Sequence, residues 1–275
     1  MRKTRRRCDG CSSSKAGPQD IRSSCTWGTR ARSTSGLARF RHRRGFFAAR
    51  FWPGPLTLVL KRTNRASDLV TGEQDTVALR VPAHPVALEI LRAFGGGVIA
   101  PSANRFGHVS ATRAEHVRAD FGEAIDLVID GGPATIGVES TILDLASGAP
   151  SILRPGAITR AMLEEVLGEP VALGSARGVR APGTLPTHYA PRARVELAND
   201  AGEAETRAAT LRTGGERVVV IGAGEATARF ARELYAWMRA ADQSGTDVIV
   251  VVLPPESGLG SAIRDRLERA AGGSP

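Results

Sequence analysis

Gly137-Val-Glu-Ser-Thr-Ile-Leu-Asp144, followed closely by Ile152-Leu-Arg-Pro-Gly-Ala-Ile158, is the stretch on which the reading of this chain turns. The first run supplies a glycine that frees the backbone and two adjacent hydroxyls, Ser140 and Thr141. The second supplies a permanent cation, Arg154, fixed in an Arg-Pro-Gly turn. Small donors, close backbone approach and one held guanidinium are what a site gripping a phosphorylated substrate requires. The rest of the chain reads as scaffold around it.

Upstream, Trp52-Pro-Gly-Pro55 is a turn and Leu56-Thr-Leu-Val-Leu-Lys61 a short strand. Thr76-Val-Ala-Leu-Arg-Val-Pro82 is a second strand, closed by a proline that cannot continue a ladder. From Pro85 to Phe94 the apolar residues Val86, Ile90, Leu91 and Phe94 fall at helical spacing, and Gly95-Gly-Gly97 ends the helix. This alternation predicts an α/β sheet. Val98-Ile-Ala-Pro-Ser-Ala-Asn104 is read as a buried strand entering a polar turn, the usual ligand position in such sheets. Ser102 and Asn104 share a face if that segment is extended, although an ordinary Asx or Ser turn is the plainer account of the tetrapeptide alone. Ser110-Ala-Thr-Arg-Ala-Glu-His116 is expected to start a hydroxyl-capped helix, and Ile125-Asp-Leu-Val-Ile-Asp130 to form another strand.

Downstream, a helix over Thr159 to Leu167 stops at Gly168. The stretch from Gly174 to Gly183 has no periodicity and reads as a linker, carrying on into Thr187-His-Tyr-Ala-Pro191. Tyr189 either serves a binding role or packs on a domain surface. Arg217-Val-Val-Val-Ile-Gly222, a helix from Ala226 to Ala241 with Phe230, Leu234, Trp237 and Met238 on one side, and Asp247 to Leu253 form a small Rossmann-like βαβ unit. Gly222-Ala-Gly224 lacks the third glycine of a dinucleotide fingerprint.

The net charge of +9 is unevenly placed. Residues 1–50 carry 14 Lys and Arg against Asp9 and Asp20, leaving 23 basic and 26 acidic residues in the body. A nucleic-acid partner is therefore argued only by the head. Cys8, Cys11 and Cys25 all lie there too, so the body has no disulfide framework and suits a reducing cytoplasm. Cys8-Asp-Gly-Cys11 has half the spacing of a zinc site without a second pair at knuckle spacing, so no metal site is expected. No apolar run is long enough to span a bilayer.

Residues 1 to about 45 show neither helical nor strand periodicity and have the Arg/Ser/Cys-rich composition of a GC-rich gene translated out of frame. Codons built from the third base of each given codon and the first two of the next permit Phe-Glu-Leu-Lys-Gly-Arg-Pro across Cys11 to Pro18. Through Trp27 they permit His-Pro-Leu-Ile-Val-His-Leu. An amphipathic helix and a strand reappear, and the given frame makes sense again near Phe46. A frameshift is the expectation for this segment. The chain then divides into an aberrant basic segment (1–45), a catalytic domain (46–172), a linker (173–193) and a C-terminal Rossmann-like domain (194–275).

The motifs Phe51-Trp-Pro-Gly-Pro-Leu-Thr, Pro101-Ser-Ala-Asn104, Gly137-Val-Glu-Ser-Thr-Ile and Leu153-Arg-Pro-Gly-Ala-Ile158 together resemble the threonylcarbamoyl-AMP synthase (YrdC-like) family. His188-Tyr-Ala-Pro191, Leu253-Pro-Pro-Glu-Ser-Gly-Leu-Gly260 and Ala262-Ile-Arg-Asp-Arg266 resemble its longer, two-domain branch. The resemblance covers about Ala49 to Ala271. It implies a twisted open α/β sheet with a concave cavity and a small C-terminal Rossmann-like α/β domain. The implied activity condenses L-threonine, bicarbonate and ATP, with Mg²⁺, into threonylcarbamoyl-AMP and pyrophosphate. The product supplies the downstream transferase machinery that modifies tRNA. By the same resemblance Thr76, Ser102, Asn104, Ser110 and Arg154 contact ATP, with Tyr189 closing over the nucleotide. Arg80, the backbone of Ala100, and Ser140 hold L-threonine, with Arg80 on its carboxylate.

The family's Pro-Thr-x-Thr-x-Tyr-Gly-Leu strand and its Lys-x-Arg pair are absent as the residues are given. The shifted frame contains Lys-Gly-Arg-Pro, and the strand before it would lie upstream of Met1. The chain as given is expected to lack much of the triphosphate clamp and to be poorly folded or inactive. A noncatalytic YrdC-like protein using its cavity and basic head on RNA is the alternative. A related carbamoyl-transferring enzyme is a further one, whose acylphosphatase and zinc-finger modules do not appear.

Overall fold

The computed structural model describes residues 25–27, 40–174, 181–183, 189–222 and 224–272. Cys8, Cys11, the region of the shifted Lys-Gly-Arg-Pro, and His188 lie outside the described residues.

In chain order the first unit comprises β1 (Cys25–Trp27), α1 (Phe40–Phe51), β2 (Leu56–Lys61), α2 (Asp68–Thr71), β3 (Thr76–Arg80) and α3 (Pro85–Phe94). It continues through β4 (Gly97–Ile99), α4 (Ala114–Phe121), β5 (Thr141–Asp144), β6 (Ser151–Arg154), α5 (Arg160–Leu167) and β7 (Ala172–Leu173). Its seven strands form one mixed sheet in the order β4-β1-β3-β2-β5-β6-β7. Strand alternation gives the sheet two distinct faces. On one, Leu56, Leu58, Leu60, Leu143, Leu145 and Ile152 pack with Phe47 and Phe51 of α1 and Leu163 of α5. On the other, Val59, Ile142 and Leu153 meet Ala181 of the linker, with Ala78 and Ala146 alongside.

The second unit contains β8 (Arg194–Ala198), α6 (Ala201–Thr213), β9 (Val218–Ile221), α7 (Thr227–Gln243), β10 (Val248–Val252) and α8 (Leu259–Ala271). Its three strands are parallel in the order β8-β10-β9. Central β10 is buried on both faces, and its sequence is accordingly apolar throughout rather than alternating. Val248, Val250 and Val252 pack with Ala204 and Ala208 of α6. Ile249 and Val251 pack with Phe230, Leu234, Met238 and Leu267 of α7 and α8. That last core continues into the first unit through Val109 and Val138, and it includes Tyr189.

The elements read from β2, β3, α3, α5 and the βαβ unit form where expected, with ends shifted by a few residues. Several expectations are corrected. A strand, β1, runs parallel to β3 and antiparallel to β4 within the segment read as patternless, where the shifted frame permits Val-His-Leu. Helix α1, not read from the sequence, begins at Phe40, ahead of Phe46 where the given frame makes sense again, and β7 extends the sheet to Leu173, inside the expected linker. The strand expected from Val98 shrinks to Gly97–Ile99, and Ile99 is exposed because no described element covers that end. Ile125–Asp130 is not a strand; no described strand offers it a ladder, and Leu127 and Ile129 are exposed.

Candidate functional site

Sheet register assembles the site. β2 and β3 are antiparallel with Leu58 opposite Leu79, which brings Thr57 and Arg80 to the same end of the sheet. β5 runs parallel to β2 with Thr57 opposite Ile142, and Ile142 in turn faces Arg154 of β6. Residues two apart share a face. Thr57 therefore accompanies Val59, Arg80 accompanies Ala78, and Ser140 precedes Ile142 on the same side. Simple alternation from Ile152 would point Arg154 to the opposite face. The register irregularity between Ile142 and Leu143 corrects this, because Leu143 faces Ile152 while Ile142 faces Arg154. Re-aiming one side chain is what a bulge does.

The buried row is tied together by hydrogen bonds. Ser140 Oγ lies 2.8 Å from Thr57 Oγ1. Arg154 donates from Nη2 to the Ser140 carbonyl at 3.0 Å and to its Oγ at 3.2 Å, and from Nη1 to the Pro182 carbonyl at 3.1 Å. Thr141 locks the two signature stretches together, donating to the Ile158 carbonyl at 2.7 Å and accepting from the Ile158 amide at 3.0 Å. Gly156 is required for that contact: a Cβ there would stand 2.4 Å from the Thr141 amide nitrogen.

Among the described residues, no carboxylate forms an ion pair with Arg80 or Arg154. Burial, and then the Arg154 charge, push Arg80 below its ordinary pKa. A buried guanidinium beside a half-buried one, with neutral acceptors on Arg154 among the described residues, forms a site that an anion completes.

The remaining expected residues fall in different places. Asn104 is buried and holds its own loop, donating from Nδ2 to the carbonyls of Arg105 and His108 at 2.9 Å each. Among the described residues its Oδ1 has no hydrogen-bond partner. Ser102 is exposed, so the two do not share a face: residues 101–107 bend instead of extending. Ser110 does not cap α4, which starts at Ala114. Its hydroxyl donates to Glu139 Oε1 at 2.7 Å, and the Thr112 amide is met by His116 Nδ1 at 3.2 Å. Ala100 is half-buried just past β4. Thr76 pairs with Lys61 at the far end of β3 from Arg80, about 13 Å away along the strand.

Tyr189 is buried between the units rather than extended as a free lid. Its ring stacks on Tyr235 at 5.6 Å, with the Arg266 guanidinium 5.3 Å from its centroid. It adopts φ +65, a left-handed conformation that a residue with a Cβ holds only under strong constraint. The neighbouring Ala190 amide supplies one, donating to the Gly107 carbonyl at 2.9 Å. A methyl on Gly183 would overlap Tyr189 Oη at 2.2 Å and crowd Arg154 Nη1 at 3.1 Å, so the phenol and the guanidinium meet at that glycine. A separate cleft of about 180 Å³ borders Thr112, Arg113, Thr135, Arg232 and Glu233, away from this row.

Sequence reasoning missed Thr57 and Glu139. The signal for Thr57 was a hydroxyl inside the apolar run Leu56–Leu60, and for Glu139 an acid among residues otherwise neutral.

A family model described as "Threonylcarbamoyl-AMP synthase, C-terminal domain" matches residues 158–272, and one described as "Telomere recombination" matches residues 31–156. The threonylcarbamoyl-AMP synthase of Pyrococcus abyssi is 40% identical over 246 residues, spanning 82% of this chain and 72% of its own length. The chain belongs to the threonylcarbamoyl-AMP synthase family. That of Bacillus subtilis is 37% identical, with 82% of this chain and 71% of its length covered. The crystal structure of P. abyssi Sua5 complexed with L-threonine superposes with a TM-score of 0.85 at 35% identity, covering 94% of this chain and 83% of that one. A doubly substituted form of that protein gives 0.87 at 33% identity, covering 96% and 83%. The family match favours the synthase over a noncatalytic RNA-binding protein. It also begins at residue 31, ahead of the boundary at Phe46 read from composition.

Proposed function

We propose that this chain is an L-threonylcarbamoyladenylate synthase, forming threonylcarbamoyl-AMP and pyrophosphate from L-threonine, bicarbonate and ATP. The observation that carries the reading is the Arg80–Arg154 pair, Arg154 buried and Arg80 half-buried on one sheet face, with no carboxylate partner among the described residues. It suits a chain whose relative in P. abyssi has a structure complexed with L-threonine.

In this reading Arg80 pairs with the threonine carboxylate, and Ser140, held by Thr57 and Arg154, aligns the amino acid beside it. The Ala100 backbone borders the same substrate. The threonine amine and bicarbonate yield a carbamate with loss of water. A carbamate oxygen then attacks the α-phosphorus of ATP, and the bond to the bridging oxygen breaks to release pyrophosphate. Such chemistry asks the protein chiefly to position reactants and neutralise phosphate charge. Arg154 supplies a fixed charge, Ser102, Asn104, Ser110 and Thr76 are the nucleotide contacts carried over, and Tyr189 closes the site from the linker. Among the described residues no group of three or more His, Cys, Asp or Glu is placed to hold a metal ion. Mg²⁺ would arrive on the ATP phosphates, keeping water ligands and shielding their charge. The product is a reactive mixed anhydride, so a transferase acting on tRNA adenosine is the natural consumer, and the cytoplasm the natural place. No helix among the described residues is long and apolar enough to cross a membrane.

The given frame lacks the Lys-Gly-Arg-Pro that the shifted frame permits within Cys11 to Pro18. Pyrophosphate release should depend on threonine, bicarbonate and ATP together, and restoring the shifted frame should raise it by about 100-fold or more, the scale of losing one electrostatic donor to a transition state. Release indifferent to threonine, or absent from both forms, would sink the reading.

A further inference from the structure

The carboxylate of Glu139 is claimed from both structural units at once. Its Oε1 accepts from Ser110 Oγ at 2.7 Å. Its Oε2 accepts from Tyr235 Oη at 3.0 Å and from Arg266 Nε at 2.9 Å. Tyr235 belongs to α7 and Arg266 to α8, both in the C-terminal unit, whereas Ser110 and Glu139 precede β5 in the first. Arg266 is fully buried, and its Nη2 also donates to the Pro155 carbonyl at 2.9 Å, inside the Arg-Pro-Gly turn. The contact is close: a Cβ on Gly137 would lie 2.1 Å from the Ala231 carbonyl of α7. Arg239 adds a flanking tie, pairing with Asp120 at 2.7 Å and donating to the Ser110 carbonyl at 3.2 Å.

One peptide separates Glu139 from Ser140, and the Ser140 carbonyl and hydroxyl are the groups that Arg154 holds. The Arg266 side chain thus grips both signature stretches, Gly137–Asp144 through Glu139 and Ile152–Ile158 through Pro155. Arg266 also pairs through Nη1 with Asp265 at 2.5 Å, so it is held from its own helix as well, but removing it leaves the Glu139 carboxylate without its ion-pair partner across the contact.

We propose that Glu139 is a positioning residue that makes the substrate grip depend on the C-terminal unit: Arg266 and Tyr235 fix its carboxylate, and it fixes Ser110 and the backbone entering Ser140. The unit's docking is then a condition for threonine binding. This rests on the reading of Ser140 as a threonine contact.

The test uses the full chain and three variants, Arg266→Met, Glu139→Gln, and both together. L-Threonine affinity is measured by calorimetry and amide hydrogen exchange by mass spectrometry. Arg266 touches none of the groups proposed to hold threonine, yet Arg266→Met should weaken threonine binding by about 10-fold or more. Exchange should rise in residues 137–141 and 107–112, while β8 and β10 keep their protection. The double variant should bind no worse than the weaker single one, since the two residues act as one unit. Unchanged affinity in Arg266→Met, or exchange rising equally throughout the C-terminal unit, would overturn the proposal and leave Arg266 a merely structural residue. If the unsubstituted chain binds no L-threonine, the site reading fails instead, and unchanged exchange at 137–141 in Arg266→Met would still refute the coupling.

Discussion

Thr57 shows how much of this site depends on single hydroxyls. It sits inside Leu-Thr-Leu-Val-Leu, where every other residue is apolar and buried, and among the described residues its hydroxyl meets Ser140 Oγ at 2.8 Å. Thr57→Val keeps the shape and removes that contact. It should cost about 1 kcal/mol of stability while raising the KM for threonine several-fold with little change in kcat, measured by steady-state pyrophosphate release. Asn104 illustrates what the sequence could not reveal. Its spacing from Ser102 argued for a shared face, but its amide is committed to the loop carbonyls of Arg105 and His108, so the backbone bends and Ser102 turns outward. Whether a polar residue faces a ligand or its own loop is decided by φ and ψ, which a tetrapeptide does not specify.

The two signature stretches behave as one piece because Thr141 and Gly156 interlock them. Gly156→Ala places a methyl 2.4 Å from the Thr141 amide nitrogen, backbone that has no rotamer to give. The variant should lose about 1–3 kcal/mol, seen as a lower urea midpoint with an unchanged slope. Helices α3 and α5 were legible because each carries an apolar stripe and ends at a glycine, Gly95 and Gly168, in the left-handed conformation. Strand β2 was legible as a β-branched and leucine run after a proline turn. Ile125–Asp130 carried the same signals and is no strand, since a strand exists only with a neighbour to pair. Helices α6 and α8 went unread: α6 is held largely by alanines, Ala204 and Ala208, which leave little periodic contrast. The aim of Arg154 was equally illegible, depending on a bulge set by pairing with β5.

Across the whole molecule, the C-terminal unit and the described linker residues Ala181 and Tyr189 are packed into cores shared with the first unit, and the contact is electrostatic at its centre. Burial pushes the Glu139 carboxyl up, but the charges of Arg266 and Arg154 and the hydrogen bonds from Arg266 and Ser110 more than offset it, bringing its pKa from 4.5 down to about 2. A carboxylate depressed on folding contributes stability that is full above its unfolded value, near 4.5, and is lost as pH falls toward 2. Urea midpoints should therefore drop between pH 5 and about 2.5, and Glu139→Gln should flatten that part of the profile while lowering the midpoint at pH 7. The charge map was readable from sequence, with a basic head over a mildly acidic body, but the use of Arg266 as a buried tie was not, because nothing local marks which of many arginines is enclosed.

The central claim is that Arg80, beside Arg154 on the same sheet face, takes the threonine carboxylate. Calorimetric titration of L-threonine into the unsubstituted chain and into Arg80→Ala tests it most directly. Saturable binding by the unsubstituted chain, weakened by about 10-fold or more in the variant, is the result predicted for loss of a charge-assisted pair. Equal binding by the two proteins would contradict the claim and place the threonine elsewhere.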